Sequence, residues 1–428
     1  MTNTREAVLG TCECEGLAHS RRAFLKTVGT VAGSTVLATA FGDVFRQVAF
    51  GAITDNANVL VVLSLRGGAD GLSLVVPHGD PAYVGARPHI ALSPSELIGN
   101  DWMFGLHPAL APLLPKWRDG SFGAVHAVGT PQPNRSHFAA MEAIEDADPG
   151  SSLRCGWVNR MIGVIGTDEP VEGAQIGTST VPTSLFGPAP SLSLNRLSSL
   201  KLISSSDPIR QQYHRQSLHR VWDGAAGPLG QGARAALTTS LTLAPLTQDR
   251  PPHNGAVYPY GDVGTAMAET ARLIRAQVGT RVVTVDAGGW DMHTSLGTST
   301  SGAMRNKVNE LATGLAAFFA DLGPWADRVT VVTISEFGRR VTENGSQGLD
   351  HGYGNCMLLL GAGVIGGRVH TRWPGLGGKK LVDGDLAVTV DIRSVLAEVL
   401  KARFPEADLS AVFPSFTPEW VGAVRSTP

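Results

Sequence analysis

Cysteine is scarce in this 428-residue chain: there are four, Cys12, Cys14, Cys155 and Cys356. So thin a set excludes a disulfide-stapled scaffold, and its spacing is not that of a thiolate zinc site. Export would allow Cys155 to pair with Cys356, but buried free thiols are the expected state. Charge of one sign is also missing. The formal net charge is -2 with 17% charged residues, which gives no basic surface for nucleic acid and no reason to expect a polyanionic partner. Nor does the N-terminal apolar stretch reach the ~20 residues that a spanning helix needs, so no stable transmembrane anchor is expected. What the chain has is ordinary globular composition, 43% hydrophobic, and enough length for a large core. Its 51 glycines and 26 prolines indicate many loops rather than disorder, because apolar runs recur throughout.

The N-terminus reads as an address. "SRRAFLKT" places Arg21 and Arg22 ahead of Phe24, Leu25 and Lys26, and an uncharged stretch, Thr27 to Gly42, follows. This is the pattern of a twin-arginine export signal. The other reading is a short buried helix with a basic start. "ATA", Ala38 to Ala40, is a passable cleavage site, so residues 1–40 are assigned to the signal. The expected destination is the periplasm, cell envelope or exterior, with the twin-arginine machinery as a transient partner.

Beyond the signal, "NVLVVLSL" (58–65) is a continuous apolar run that breaks at Arg66-Gly67-Gly68. Similar runs lie at 122–130, 281–289, 328–338 and 356–364. Strands apolar on both faces suit a sheet covered by helices on each side. Helical patterns separate them, among them "HFAAMEAIEDA", "GTAMAETARLIRAQV", "AMRNKVNELATGLAAFFADL" and "DIRSVLAEVLKARF". The alternation predicts one α/β domain over 55–428 with a mostly parallel sheet. The Ser-, Pro- and Gly-rich stretch at about 171–260 is expected to form loops and two or three helices inserted between strands.

The polar residues gather where strands end, which is where sites form in open α/β sheets. The first strand ends in "RGGADG" with Asp70. The second ends in "GTPQPNRSHF" with Arg135, Ser136 and His137. The third ends in "GGWDMH" with Asp291 and His293, and the fourth in "SEFGRR" with Glu336 and Arg339; Asp350 and His351 follow in "DHG". Carboxylates and imidazoles converging on one sheet edge suit Zn²⁺, Mn²⁺ or a mixed pair. Asp291 and His293 share one side of an extended segment, because residues i and i+2 do. Each cluster also has a plainer reading. Asp-x-His can be a hydrogen-bonded loop pair, and Ser136 can cap the helix it precedes. Glu336 can pair with Arg339 or Arg340, and Asp70 can be a turn residue.

The combination "LRGGADGL", "PNRSHF", "GGWDMH", "SEFGRRVTENGSQGLDHG" and "GGRVHTRWPGL" resembles an exported bacterial family, domain of unknown function 1501. That family belongs to the alkaline phosphatase-like superfamily, beside sulfatases and cofactor-independent phosphoglycerate mutases. The resemblance implies a three-layer sandwich of a mixed sheet between helices, and one or two divalent metals. It implies Asp70, Asp291, His293, Glu336, Asp350 and His351 as metal ligands and Ser136 as nucleophile. Arg135 and Arg339 would hold the anionic group of a small ester, with His137 beside them. Phe337 stands where the superfamily enzymes have a His, which implies either a single metal or a second one completed by Asp350. The activity implied is hydrolysis of phosphate or sulfate esters. The alternative is an exported envelope protein that keeps the fold and binds a glycan or protein without turnover.

Overall fold

A computed structural model describes residues 57–148, 154–165, 171–200 and 207–425. The twin-arginine segment lies outside the described residues. No helix among them is long and apolar enough to cross a membrane.

The strands are β1 (Val59–Leu65), β2 (Val75–Val76), β3 (Gly105–Leu106), β4 (Phe122–Gly129), β5 (Gly173–Ile176), β6 (Leu192–Leu194), β7 (Val282–Ala287), β8 (Val329–Ile334), β9 (Asn355–Gly361), β10 (Val369–His370) and β11 (Val390–Asp391). Nine of them form one sheet in the order β10-β4-β9-β8-β1-β7-β5-β6, with β11 also pairing β4. All pairings in it are parallel except those of β9, which runs antiparallel to β4 and β8. The expected fold class is the one observed: a mixed, mostly parallel sheet between helices.

The apolar runs explain the layers. Every residue of β1 is buried. Val59, Val61 and Leu63 face a core shared with the helices Asp262–Arg275 and Ala303–Leu322. Leu60 and Val62 face the opposite core, built with the helices Trp157–Ile165 and Ile392–Arg403. A strand covered on both faces has no polar side to show, which is why its sequence does not alternate. The segment read as loops from 171 holds two further strands, β5 and β6, which extend the sheet beyond β7. Their four and three residues are too short to show a period amid Ser and Pro.

Strand direction decides where the polar clusters meet. β1, β7 and β8 run together, and β4 runs the same way because two antiparallel pairings separate it from β8. All four therefore deliver their C-terminal ends to one sheet edge. β9 begins at that edge, so His351, just ahead of it, arrives there too.

Asp70 does not reach the other carboxylates. Its side chain is buried in a bidentate pair with Arg87, Oδ1 accepting from Nη2 at 3.0 Å and Oδ2 from Nη1. Arg87 also donates to the carbonyls of Arg340 and Val341. Burial pushes the Asp70 carboxyl up, but the Arg87 charge and hydrogen bonds outweigh it and hold the group below its ordinary value. Removing one partner of a fully buried pair leaves an uncompensated charge. Arg87→Met is therefore expected to cost about 3–5 kcal/mol in urea unfolding, with partial recovery in the Asp70→Asn, Arg87→Met double variant. Because the folded pKa is depressed, the pair's contribution is whole above the unfolded value of about 3.9 and is lost as pH falls through the lower, folded value. An acid titration of stability in which the Arg87 variant runs parallel to the wild type at low pH would contradict this.

Candidate metal centre

Three imidazoles and one carboxylate meet beyond the ends of β4, β7 and β8. His351 Nε2 lies 3.0 Å from His137 Nε2 and 3.1 Å from His293 Nε2. Asp291 Oδ1 is 2.9 Å from His293 Nε2 and 3.3 Å from His351 Nε2, and Oδ2 is 3.6 Å from His137 Nε2. Donor atoms of His137, Asp291 and His351 all lie within 4.8 Å of one another. His293 joins them through His351 and Asp291.

The far side of each ring explains the direction of the near side. His351 Nδ1 lies 2.9 Å from the carbonyl of Arg135, which can only accept, so this nitrogen carries the hydrogen. His293 Nδ1 lies 3.1 Å from Asp350 Oδ1. Hydrogen bonds from His293 and from Asn344 hold Asp350 below the ordinary carboxylate range, so it too accepts. In the neutral rings both Nε2 atoms then present lone pairs to each other across 3.1 Å. Such an arrangement repels unless a cation, a proton or a metal ion, sits between them. His137 Nδ1 faces Glu336 Oε1 at 3.5 Å. Imidazoles backed by oxygen acceptors on one nitrogen, with the other turned inward, are the usual arrangement around bound metal. Ligands about 2.0–2.1 Å from a tetrahedral zinc would stand roughly 3.3 Å apart, so the observed spacings need little adjustment. The donor set fits the metal.

Glu336 is not turned toward the cluster's centre. Its oxygens accept from the backbone N–H groups of Gly67 at 2.7 Å and Gly68 at 2.8 Å. Both glycines have positive φ, 115° and 69°, and a Cβ on either would come within 2.6 Å of Asp291 N or 2.5 Å of the Phe337 ring. The double glycine after β1 thus supplies a cradle for a carboxylate from β8. Phe337 packs its ring 4.9 Å from His137 and 4.7 Å from His351 and forms an apolar wall behind them.

Arg339 is buried and each of its three side-chain nitrogens donates. It bonds the carbonyls of Gly67, Gly68, Leu349 and Trp290, and it donates to Asp291 Oδ1 at 2.6 Å. It orients a ligand and ties the loops after β1 and β7 to its own, and at 2% exposure it is sealed behind Asp291 rather than open to the anionic group it was expected to hold. Burial pushes the Asp291 carboxyl up; Arg339 and the histidines more than offset this and keep it low and ionised. Asp350 stands behind His293 rather than at the centre, and His137, expected at the substrate, stands among the inward donors. Arg135 turns its side chain to Asp385. Ser136 is exposed at the N-cap of the helix His137–Asp146 but makes no capping side-chain bond.

Asn344 lies within the motif that carries the resemblance but is given no role there; it donates to His293 O at 2.9 Å and Asp350 Oδ1 at 3.1 Å while accepting from Ser346 and Gly348. Its place in "TENGSQGLDHG" reads as turn chemistry.

Residues 242–402 match the family described as "Protein of unknown function (DUF1501)". No curated protein matches the chain in sequence. Among solved structures, it is similar to the C-terminal periplasmic domain of EcEptC from Escherichia coli in complex with Zn, at 10% identity and TM-score 0.32, covering 73% of this chain and 77% of that one. It is similar to an alkaline phosphatase superfamily protein from Vibrio parahaemolyticus at 13% identity and TM-score 0.34, covering 77% and 66%. PsFucS1 sulfatase from a Pseudoalteromonas species gives 12% identity and TM-score 0.34, covering 95% and 78%. Residue roles at this centre rest on its own geometry.

His351→Ala and His137→Ala are each expected to lower the zinc or manganese retained by the purified chain. They should also abolish the rise in melting temperature on adding metal, which for wild type at a thousandfold excess over Kd corresponds to about 4 kcal/mol. Elemental analysis of wild type grown with ample metal, showing none bound, would contradict the assignment.

Proposed function

We propose that this chain is an exported, metal-dependent hydrolase of phosphate or sulfate esters. The observation that carries the reading is the inward convergence of His137, His293 and His351 on the Asp291 carboxylate, each ring backed by an oxygen acceptor. His137, His351 and Asp291 would hold the ion, with His293 beside them as a further donor. A bound divalent cation supplies Lewis-acid polarisation of a phosphoryl or sulfuryl oxygen. Zinc suits three imidazoles and a carboxylate best.

Ser136 is the proposed nucleophile. It sits between Arg135, whose carbonyl orients His351, and His137. Its hydroxyl is exposed and makes no capping bond, which favours attack over a purely structural role. The oxygen of Ser136 forms a bond to phosphorus or sulfur, the ester oxygen leaves as the alcohol with a proton, and water then cleaves the seryl ester and restores the hydroxyl. The ten-residue helix that starts at His137 points its free N–H groups toward the same end and favours the anionic oxygens there.

Ser136→Ala is expected to remove most turnover of chromogenic phosphate or sulfate esters while stability changes by less than about 1 kcal/mol, because no cap bond is lost. Ser136→Thr should retain part of the activity. Near wild-type kcat in the alanine variant would remove Ser136 from the mechanism, and no turnover of any ester by metal-loaded protein would favour the non-catalytic, envelope-binding alternative. Export is tested separately: Arg21→Lys with Arg22→Lys should leave full-length precursor in the cytoplasm, and normal export of that variant would contradict a twin-arginine route.

A further inference from the structure

Phe138 directly follows His137, yet its ring is 91% exposed. On the segments that carry the metal centre, 130–138, 288–297 and 335–353, it is the one large apolar side chain left in water among the described residues. The others, from Trp290 and Met292 to Phe337, Val341 and Leu349, are buried and hold the loops. Single exposed apolar residues are common on protein surfaces, so the position of this one decides its meaning.

Consecutive Cα atoms are about 3.8 Å apart, so the Phe138 backbone lies no more than about 7.6 Å from that of Ser136. Cα–Cβ bonds of a helix tilt toward its N-terminus. In the helix His137–Asp146 the Phe138 side chain therefore leaves toward the end that begins at Ser136. Phe138, Met141 and Glu145 are spaced three and four residues apart and share one face. Met141 Sδ lies 3.8 Å from Ser64 Oγ, and Glu145 accepts from Arg66 Nη2, so that face turns to the end of β1. Phe138 thus stands at the rim of the centre on the side where β1 ends, not on the helix's outer flank. The start of the helix is held by His137, whose ring meets His351 and Phe337, so the Phe138 ring is offered from a fixed backbone.

We propose that Phe138 is a specificity-determining residue whose ring packs on a flat apolar ring, an aryl group, in the alcohol half of the ester. This rests on the hydrolase reading of the centre and names its substrate class. The sheet and Phe337 close the inner side, so the alcohol half of a bound ester extends to the open side, where Phe138 stands. Two aromatic rings gain from offset or edge-to-face packing beyond the area they bury. A small alkyl group offers neither. The rival role is an ordinary surface position that touches no substrate.

The test is calorimetric titration of the metal-loaded full chain with phenylphosphonate and methylphosphonate, and in a second series with benzenesulfonate and methanesulfonate, beside kcat/KM for the phenyl and methyl esters of phosphate and sulfate. Wild type should prefer the phenyl member, and Phe138→Ala should reduce the phenyl-to-methyl ratio about fivefold in affinity and in kcat/KM. Phe138→Tyr should keep the ratio, and Phe138→Leu, apolar but without the ring, should fall between. The melting temperature should not move, because the ring is in water. A Phe138-dependent preference for the phenyl ligand with no turnover of any ester would keep the aryl subsite and remove the hydrolase. Turnover with a phenyl-to-methyl ratio indifferent to Phe138→Ala would keep the hydrolase and overturn the subsite. Wild-type protein that binds none of the four ligands, or binds the phenyl and methyl members equally, would overturn it as well.

Discussion

Two histidine nitrogens 3.1 Å apart, each with its hydrogen committed elsewhere, are the constraint from which the rest of the site follows. Nothing in the ring chemistry makes His293 and His351 attractive to each other in that pose. Asp350 and the Arg135 carbonyl hold them there, and Asp291 answers with a negative charge that Arg339 keeps ionised. Buried Arg339 and the glycine cradle that holds Glu336 brace this arrangement, and lone pairs held so close suit a cation between them.

The sheet makes this arrangement stable. β1, β7 and β8 are parallel neighbours, so their terminal loops stand side by side without any long connection crossing the site. Glu336 spans from β8 to the backbone of Gly67 and Gly68 after β1, and Arg339 reaches the carbonyls of those same glycines. The ligand-bearing loops are thus cross-linked by charged groups whose polar atoms are satisfied, as buried polar networks must be to rigidify a site rather than weaken it. Phe337 completes the frame from the apolar side.

Much of the architecture was legible because of one repeated pattern. Runs such as 58–65 and 328–338 are apolar on both faces and end in glycine and polar residues, which marks buried strands and their site-facing ends together. That was enough to bring Asp291, His293, Glu336, Asp350 and His351 to one edge. It was not enough to rank them, because inward and outward positions depend on partners distant in sequence. Asp70 is claimed by Arg87, Glu336 by the glycine N–H groups and Arg135 by Asp385, 250 residues away. Nor could spacing separate Arg339 from Arg340: one is sealed among carbonyls and the next is half open, a difference set by the isolated bridges that Arg339 makes with His351 and Arg340 with Asp385.

X-ray absorption spectroscopy at the zinc edge of the metal-loaded chain tests the central claim most directly. The account predicts a four-coordinate first shell of nitrogen and oxygen at about 2.0–2.1 Å, with the multiple-scattering signature of imidazole that weakens in His351→Ala. A shell of six oxygens, a shell containing sulfur, or imidazole scattering unchanged in that variant would contradict it.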